Sequence, residues 1–407
     1  LLQSCFSPNT HLTFMSDSYT TVTSQNIFQR IGSSLFAVLL GPIFIIGAAV
    51  LLFFNEVHAV RNANSLKEGA ATVLEADSAH VDAADEGKLV HLAGMTKTET
   101  PLTDPAFGVT YSGVRLDRAV EVYEWTESSH SSTTTSITGT KTTTTQYDYK
   151  KQWQNALIDT SRFHEKEGHE NPSSLAYPAK TFKAESVALG AFELDSALAA
   201  KITGDEQVPL AADSLKLPAG ARLDSGGSIY VGANPEVPAV GDLKITEKGT
   251  PNTTVSVVAA QVGAKLTSYK TSNGGTIALL VQGSQSAAQM FQAAQSSNKT
   301  LAWVLRGVGF VLLFIGIHLI FGPLSTLASF VPLLGAVFEG GLFMVSFLMA
   351  LIGWFLLVGA AWMAARPLVA VPLFIFGFLA LATLIWLLVK RHASRKLRLA
   401  GTAPGTV

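Results

Sequence analysis

The sequence predicts an α+β membrane protein, with four transmembrane helices, one N-terminal and three C-terminal, and a large β-rich extramembrane domain between the first and second. Three observations carry this. Residues 32–54 form an uncharged apolar run, long enough for the ~20 residues a bilayer core requires. A polar stretch rich in β-branched and turn residues follows to about residue 300, and nearly continuous apolar sequence then extends to residue 389. The chain averages hide this division: 48% hydrophobic and 14% charged residues, with mean hydropathy +0.32.

Residues 1–31 read as a cytoplasmic tail. Met15 opens a polar segment leading into the first span, so Leu1 and Met15 are both open as starting points. The apolar run at 32–54 is too long for a signal-peptide core, typically 7 to 15 residues, and no small-residue cleavage site follows it. It is read as an uncleaved span, continuing as helix to about residue 74.

The domain, residues 55–300, begins with a strand at 88–98. Strands at 115–126 and 142–153 flank a Ser/Thr tract at 128–138, a pattern that predicts a long hairpin with a polar tip. The two-residue period puts Val120 and Val122 on one face and Tyr123 and Trp125 on the other. With Trp153 on the facing strand, Tyr123 and Trp125 are candidates for a partner surface. Further strands are expected at 182–192, 228–231, 243–246, 255–261, 265–270 and 276–281, with a short helix at 197–201 and a hairpin turn at Gly274-Gly275. An Ala- and Gln-rich helix at 286–297 leads into the second span. The domain is one compact unit, or two subdomains joined near 171–178.

Spans are expected at 301–321, 341–363 and 368–389. Arg366-Pro367 separates the last two, since proline stops a helix and arginine prefers the headgroup level. Residues 322–340 are apolar but broken by Pro323 and Pro332, and are read as an interfacial segment. Lys390, Arg391, Arg395, Lys396 and Arg398 make residues 390–407 a basic tail, which the positive-inside rule places in the cytoplasm. Four spans then put the domain across the membrane, in a periplasm or an organelle lumen.

Several function classes lack support. A net charge of -1 provides no basic field for nucleic acid. Cys5 is the only cysteine, which excludes an intramolecular disulfide and a Cys-based zinc site within this chain. His164, His169 and Glu170 belong to the densest group of potential ligands, but histidines five apart do not share a helix face as an H-E-x-x-H pair does. Gly168, Asn171 and Pro172 make the segment a loop, read as a solvated connector rather than a metal or acid-base site. The Ser/Thr tract contains no G-x-S-x-G elbow. No cofactor and no catalytic residue is indicated.

Ionisable groups inside apolar runs are functional candidates by default. Arg306, Glu339 and Arg366 are candidate membrane-interface charges, each near the end of a span. Arg306 is the best single candidate, either for anchoring at the interface or for a buried pair or relay. Gly353, Gly359, Ala360, Ala361, Ala364 and Ala365 offer small-residue spacing for close helix packing, within one bundle or between copies.

An ordered series of segments resembles the LUMA, or transmembrane protein 43, family. The series comprises Asn55-Glu56, Ser65-Leu66-Lys67-Glu68-Gly69, Glu86-Gly87-Lys88-Leu89-Val90-His91, Asp104-Pro105-Ala106-Phe107-Gly108-Val109, Val120-Glu121-Val122-Tyr123-Glu124-Trp125, Gly168-His169-Glu170-Asn171-Pro172-Ser173 and Val240-Gly241-Asp242-Leu243. Arg306 and Arg366-Pro367 also fall where that family has them. The resemblance implies four spans, a large luminal domain, self-association and a role in organising membrane protein complexes. In animals it implies the endoplasmic reticulum and nuclear envelope, with partners such as emerin and lamins, whereas the alanine-rich composition fits a prokaryotic member in an inner membrane. The expected partners are membrane lipids, further copies of this chain and other membrane proteins, and not nucleic acid. The function expected is a non-catalytic, self-associating scaffold. The alternative is a membrane-bound enzyme or transport component using the 164–170 loop or Arg306.

Overall fold

Two helices grow out of the β-rich domain into the membrane level without a break. The first, α1 (Ile27–Thr72), unites the apolar run with a segment of good helix formers including Leu66, Lys67, Glu68, Ala70 and Ala71. The second, α2 (Ala287–Ile320), starts in the domain with a capping box, in which Ser286 and Gln289 satisfy each other's backbone N–H groups. A third, α3 (Pro332–Ala365), runs antiparallel to α2. The computed structural model describes residues 17–25, 27–136, 140–324, 332–365, 371–372, 375–383, 385–386 and 390. Among these, Phe36–Thr72, Ala287–Ile320 and Gly340–Met363 are long and apolar enough to cross a membrane. The fourth expected span, 368–389, lies partly outside the described residues; its described pieces are helical, and Phe376 packs on Phe355 of α3.

Residues 332–340, in the segment expected at the interface, are helical, because α3 begins at Pro332 and runs on through Gly340 into the span at Gly340–Met363. Proline at the first helical position loses no bond, since that N–H has no partner inside the helix. It therefore starts this helix instead of breaking it.

The domain has two principal sheets. In the first, β1 (Asp17–Gln25), β4 (Lys141–Gln154), β3 (Gly113–Thr135) and β5 (Leu243–Pro251) lie side by side, followed by Ile229–Val231 and Ala221–Leu223. The second is built on β2 (Leu89–Lys97) and β6 (Thr254–Val262), paired antiparallel with Val257 opposite Leu92. It is flanked by Leu279–Gln282 and by the short strands Lys265–Thr267, Phe192–Leu194 and Ala188–Leu189. Strands from both sides of residues 171–178 enter both sheets, so the chain does not divide there.

Alternation explains the core. Leu116, Val120 and Val122 of β3 are buried beside Ile245 and Leu243 of β5, with Val122 opposite Leu243 and Val120 opposite Ile245. A second cluster, including Leu92, Val257, Leu189, Phe192 and Leu198, fills the space around β2 and β6. Each fully buried aliphatic side chain contributes roughly 1.5–3 kcal/mol. A third cluster joins the helix roots to the second sheet: Leu66 of α1 and Met290 and Phe291 of α2 pack on Leu89, Val258 and Ile277.

Several strand boundaries differ from the sequence reading. The Ser/Thr tract is strand, not tip: β3 continues through Thr135, and Ser131 and Thr133 bond Thr145 and Thr143 through their hydroxyls. The stretch at 182–192 resolves into Lys180–Lys183, Ala188–Leu189 and Phe192–Leu194, because Gly190 turns the chain at φ 62°. Residues 265–270 divide between two sheets, and Tyr269–Lys270 pairs with Thr276–Ile277 across the Gly274-Gly275 turn. β1 is an addition, since its residues were read as part of a tail. It covers the free edge of β4 from Lys141 to Tyr149, with Thr21 opposite Thr145. This pairing and the sidedness read from the basic tail make opposite demands on the chain before the first span.

In the membrane bundle, small residues permit close approach. A Cβ on Gly316 would lie 2.8 Å from the Gly41 carbonyl oxygen, and one on Gly309 2.5 Å from Leu52. Ala48, Leu313 and Ala350 meet at the common centre of α1, α2 and α3.

Candidate membrane-interface site

Antiparallel packing of α1 and α2 brings two ionisable groups level at the domain end of the bundle. Asn55 donates to the Ala302 carbonyl at 3.2 Å, and Leu52 packs on Gly309. Between these contacts, Arg306 Nε and a terminal nitrogen donate to the two oxygens of Glu56 at 2.6 and 2.9 Å. Glu56 is 1% exposed and Arg306 8%. The bidentate geometry matches guanidinium to carboxylate plane to plane and is the strong form of such a pair.

Three indoles surround it. The Arg306 guanidinium lies over Trp303 at 4.6 Å and over Trp362 of α3 at 5.1 Å. The Trp362 indole N–H donates to Glu56, and that of Trp354 donates to the Arg306 carbonyl at 3.0 Å. A buried ion pair costs desolvation and repays it only with such extra bonds. Here both extra bonds come from α3, so the pair and its indoles tie α1, α2 and α3 together. Arg306, expected near the interface, thus turns inward to a carboxylate 250 residues earlier in the chain. Deeper in the bundle, His318 stacks on Phe314 and its Nδ1 lies 3.3 Å from the Ser346 hydroxyl.

The sequence profile of the family described as Transmembrane protein 43 matches residues 122–367, which span α2, α3 and most of the domain. Transmembrane protein 43 of Rattus norvegicus is 33% identical over 368 residues, which cover 88% of this chain and 90% of the relative. The chain belongs to the transmembrane protein 43 family. The Homo sapiens protein of that description is 32% identical over 86% of this chain and 89% of its own length, and the Drosophila melanogaster homolog 28% over 83% and 91%. No solved structure matches. Among the segments that carried the resemblance, Asn55-Glu56 supplies the carboxylate of this site.

In this transmembrane protein 43 family member, the remaining candidate residues sit elsewhere. Tyr123, Trp125 and Trp153 form one half-buried aromatic face on β3 and β4, with Tyr123 and Trp153 5.3 Å apart. Lys151 lies over Trp125 and Lys244 over Trp153, so the face is partly roofed by its own lysines. His164 stacks on Tyr147 at 4.3 Å, and His169 stacks at 4.0 Å on Tyr149, two positions along the same strand. His169 is buried and its Nε2 lies 3.0 Å from Asp17 of β1, while Glu170 is exposed and accepts from the Gly168 N–H. The loop therefore packs on an aromatic ladder. Among the described residues, no three His, Cys, Asp or Glu side chains converge as a metal site.

The small residues of α3 divide. Gly359 and Ala361 are buried in the monomer's own bundle, Gly353 packs on Leu313, and Ala360 faces outward. The side chains of Glu339, Ala364 and Ala365, and all of Arg366, lie outside the described residues.

Sequence reasoning missed a second buried polar group, inside the domain. Arg118 of β3 bonds both oxygens of Asp104, and Glu247 of β5 lies directly opposite Arg118 in register. All three are buried. Burial, and then the neighbouring Asp104 carboxyl, push Glu247 up to about 8, whereas hydrogen bonds and charge from Arg118 help to hold Asp104 below the usual carboxylate range against its own burial. Glu247 is thus protonated at neutral pH. Strand alternation alone could have flagged Glu247, because it falls in phase with Leu243 and Ile245 on the inward face.

Proposed function

We propose that this protein is a non-catalytic membrane scaffold that self-associates and organises membrane protein complexes through its large extramembrane domain. The observation that carries the reading is the rigid rooting of that domain. Two unbroken helices, α1 and α2, enter it, and Leu66, Met290 and Phe291 lock them to the second sheet. A domain fixed in this way presents its surfaces to neighbours at a constant orientation. The blade formed by β4 and the outer half of β3 supplies an extended polar surface, and the Tyr123, Trp125 and Trp153 face supplies an aromatic one.

Outward-facing Ala360 on α3 offers a small-residue contact to a second copy. The basic tail supports placement of the domain on the non-cytoplasmic side, in a periplasm or an organelle lumen. The test is size analysis of the full chain in mild detergent, combined with cross-linking and mass spectrometry of co-purifying proteins. Oligomers with reproducible membrane-protein partners are expected. A strictly monomeric, partner-free protein overturns the reading.

A further inference from the structure

Beside the Glu56–Arg306 pair, a cavity of about 540 Å³ opens between α1 and α2 and is bounded at one end by Trp303 and Trp362. Lys67 stands at its other end on α1, and Lys299 stands part-way along α2, four residues from Trp303. Both lysines are exposed, and among the described residues neither has a carboxylate partner. Glu56 is the only acid in the lining and is already bound by Arg306, so the two lysines give the cavity an excess of positive charge.

The order of these groups along the helices follows the cross-section of a bilayer leaflet. Tryptophan marks the interface. Lys299 stands one helical turn, about 6 Å, on the domain side of Trp303, which is headgroup height. Asn64 stands on the bilayer side of Lys67 and Asn298 next to Lys299 on its domain side, so both add polar groups among the lysines. Trp303 is 62% exposed, so this end of the cavity is open at the surface of the helices.

We infer that this cavity binds the phosphate-bearing headgroup of an anionic phospholipid, with the phosphate between Lys67 and Lys299 and the first methylenes against Trp303 and Trp362. A soluble phosphate would satisfy the lysines but leave the indole wall unused. This inference rests on the membrane placement of the helices and is independent of self-association, so a monomeric protein would leave it standing.

The experiment uses the full chain in phosphatidylcholine nanodiscs, with tryptophan quenching by dibrominated phosphatidylglycerol compared with dibrominated phosphatidylcholine. Phosphatidylglycerol is expected to quench at a much lower mole fraction. Near-surface lysines each strengthen anionic-lipid binding about fivefold, so Lys67→Gln with Lys299→Gln should raise the half-quenching fraction by about thirtyfold and remove the preference. Both positions are exposed, and the substitutions leave the Glu56–Arg306 pair intact. Equal quenching by the two lipids, or a preference unchanged in the double variant, overturns the site. Loss of the preference in 10 mM inorganic phosphate (about) overturns the lipid assignment in favour of a soluble anion; an unaltered preference supports it.

Discussion

Replacing Arg306 by Met would remove the two donors that hold Glu56 at 2.6 and 2.9 Å, leaving a carboxylate that is 1% exposed with the Trp362 indole as its remaining bond. Breaking a buried pair from one side costs about 3–5 kcal/mol, because the surviving charge is neither solvated nor compensated. Removing both charges is different. Glu56→Leu with Arg306→Met puts two apolar side chains of similar volume into a site already walled by indoles, and the double variant should lie within about 1 kcal/mol of the parent. The assay is thermal loss of the helical circular dichroism signal at about 222 nm for the full chain in nanodiscs. By the usual conversion, the single variant should melt on the order of 10 °C lower and the double variant close to the parent. A single variant indistinguishable from the parent, or a double variant no better than the single, would refute the claim that this pair fixes the bundle.

Two further predictions concern the domain. Glu247 keeps its proton in the folded state up to about pH 8, whereas the unfolded chain loses it near pH 4.5. Folding therefore binds a proton in that window, and its contribution to stability falls as pH rises through it, by a few kcal/mol in total. Glu247→Gln should flatten this dependence and raise stability at pH 8 (about), read from the melting of domain tryptophan fluorescence between roughly pH 5 and pH 8; a parallel decline in both proteins would count against it. The second prediction concerns β1. Paired cysteines at Thr21 and Thr145, with Cys5→Ser, should form an intramolecular disulfide on oxidation if β1 lies on β4, because residues opposite each other in an antiparallel ladder have Cα atoms about 4.5–5.5 Å apart. Failure to cross-link in the membrane-inserted protein would assign residues 17–25 to the side opposite the domain.

Much of the architecture could be read from residue chemistry, and the exceptions have identifiable causes. The long helices were legible because a bilayer demands an uninterrupted apolar run, and the continuation of α1 beyond Asn55 was legible because Leu, Lys, Glu and Ala follow at helical density. The outer half of β3 was not. Alternation reports burial on one face, and from Ser128 onward both faces are wet, so the period-2 signal vanishes although hydroxyl pairs still hold the ladder. Pro332 looked like an interruption because a proline inside a helix and one at its first position are the same letter. For the site, Arg306 was visible as a lone charge in an apolar run, but its partner was not. No spacing rule links positions 56 and 306; the usable signal was that one carboxylate stands at the domain end of the first run and one guanidinium at the domain end of the second.

The uninterrupted passage of α1 from lipid into protein has a mechanical consequence. Between Glu56 and Thr72 the helix rises about 24 Å, at 1.5 Å per residue, before the chain enters the second sheet. Asn62 and Asn298 splint it to α2 part-way, and Glu68 is tied to Ser272 near the top. The pair acts as a ruler and as a lever: it sets the height above the bilayer at which the sheets meet another molecule, and a sideways load on the blade must appear as a tilt of the rods below.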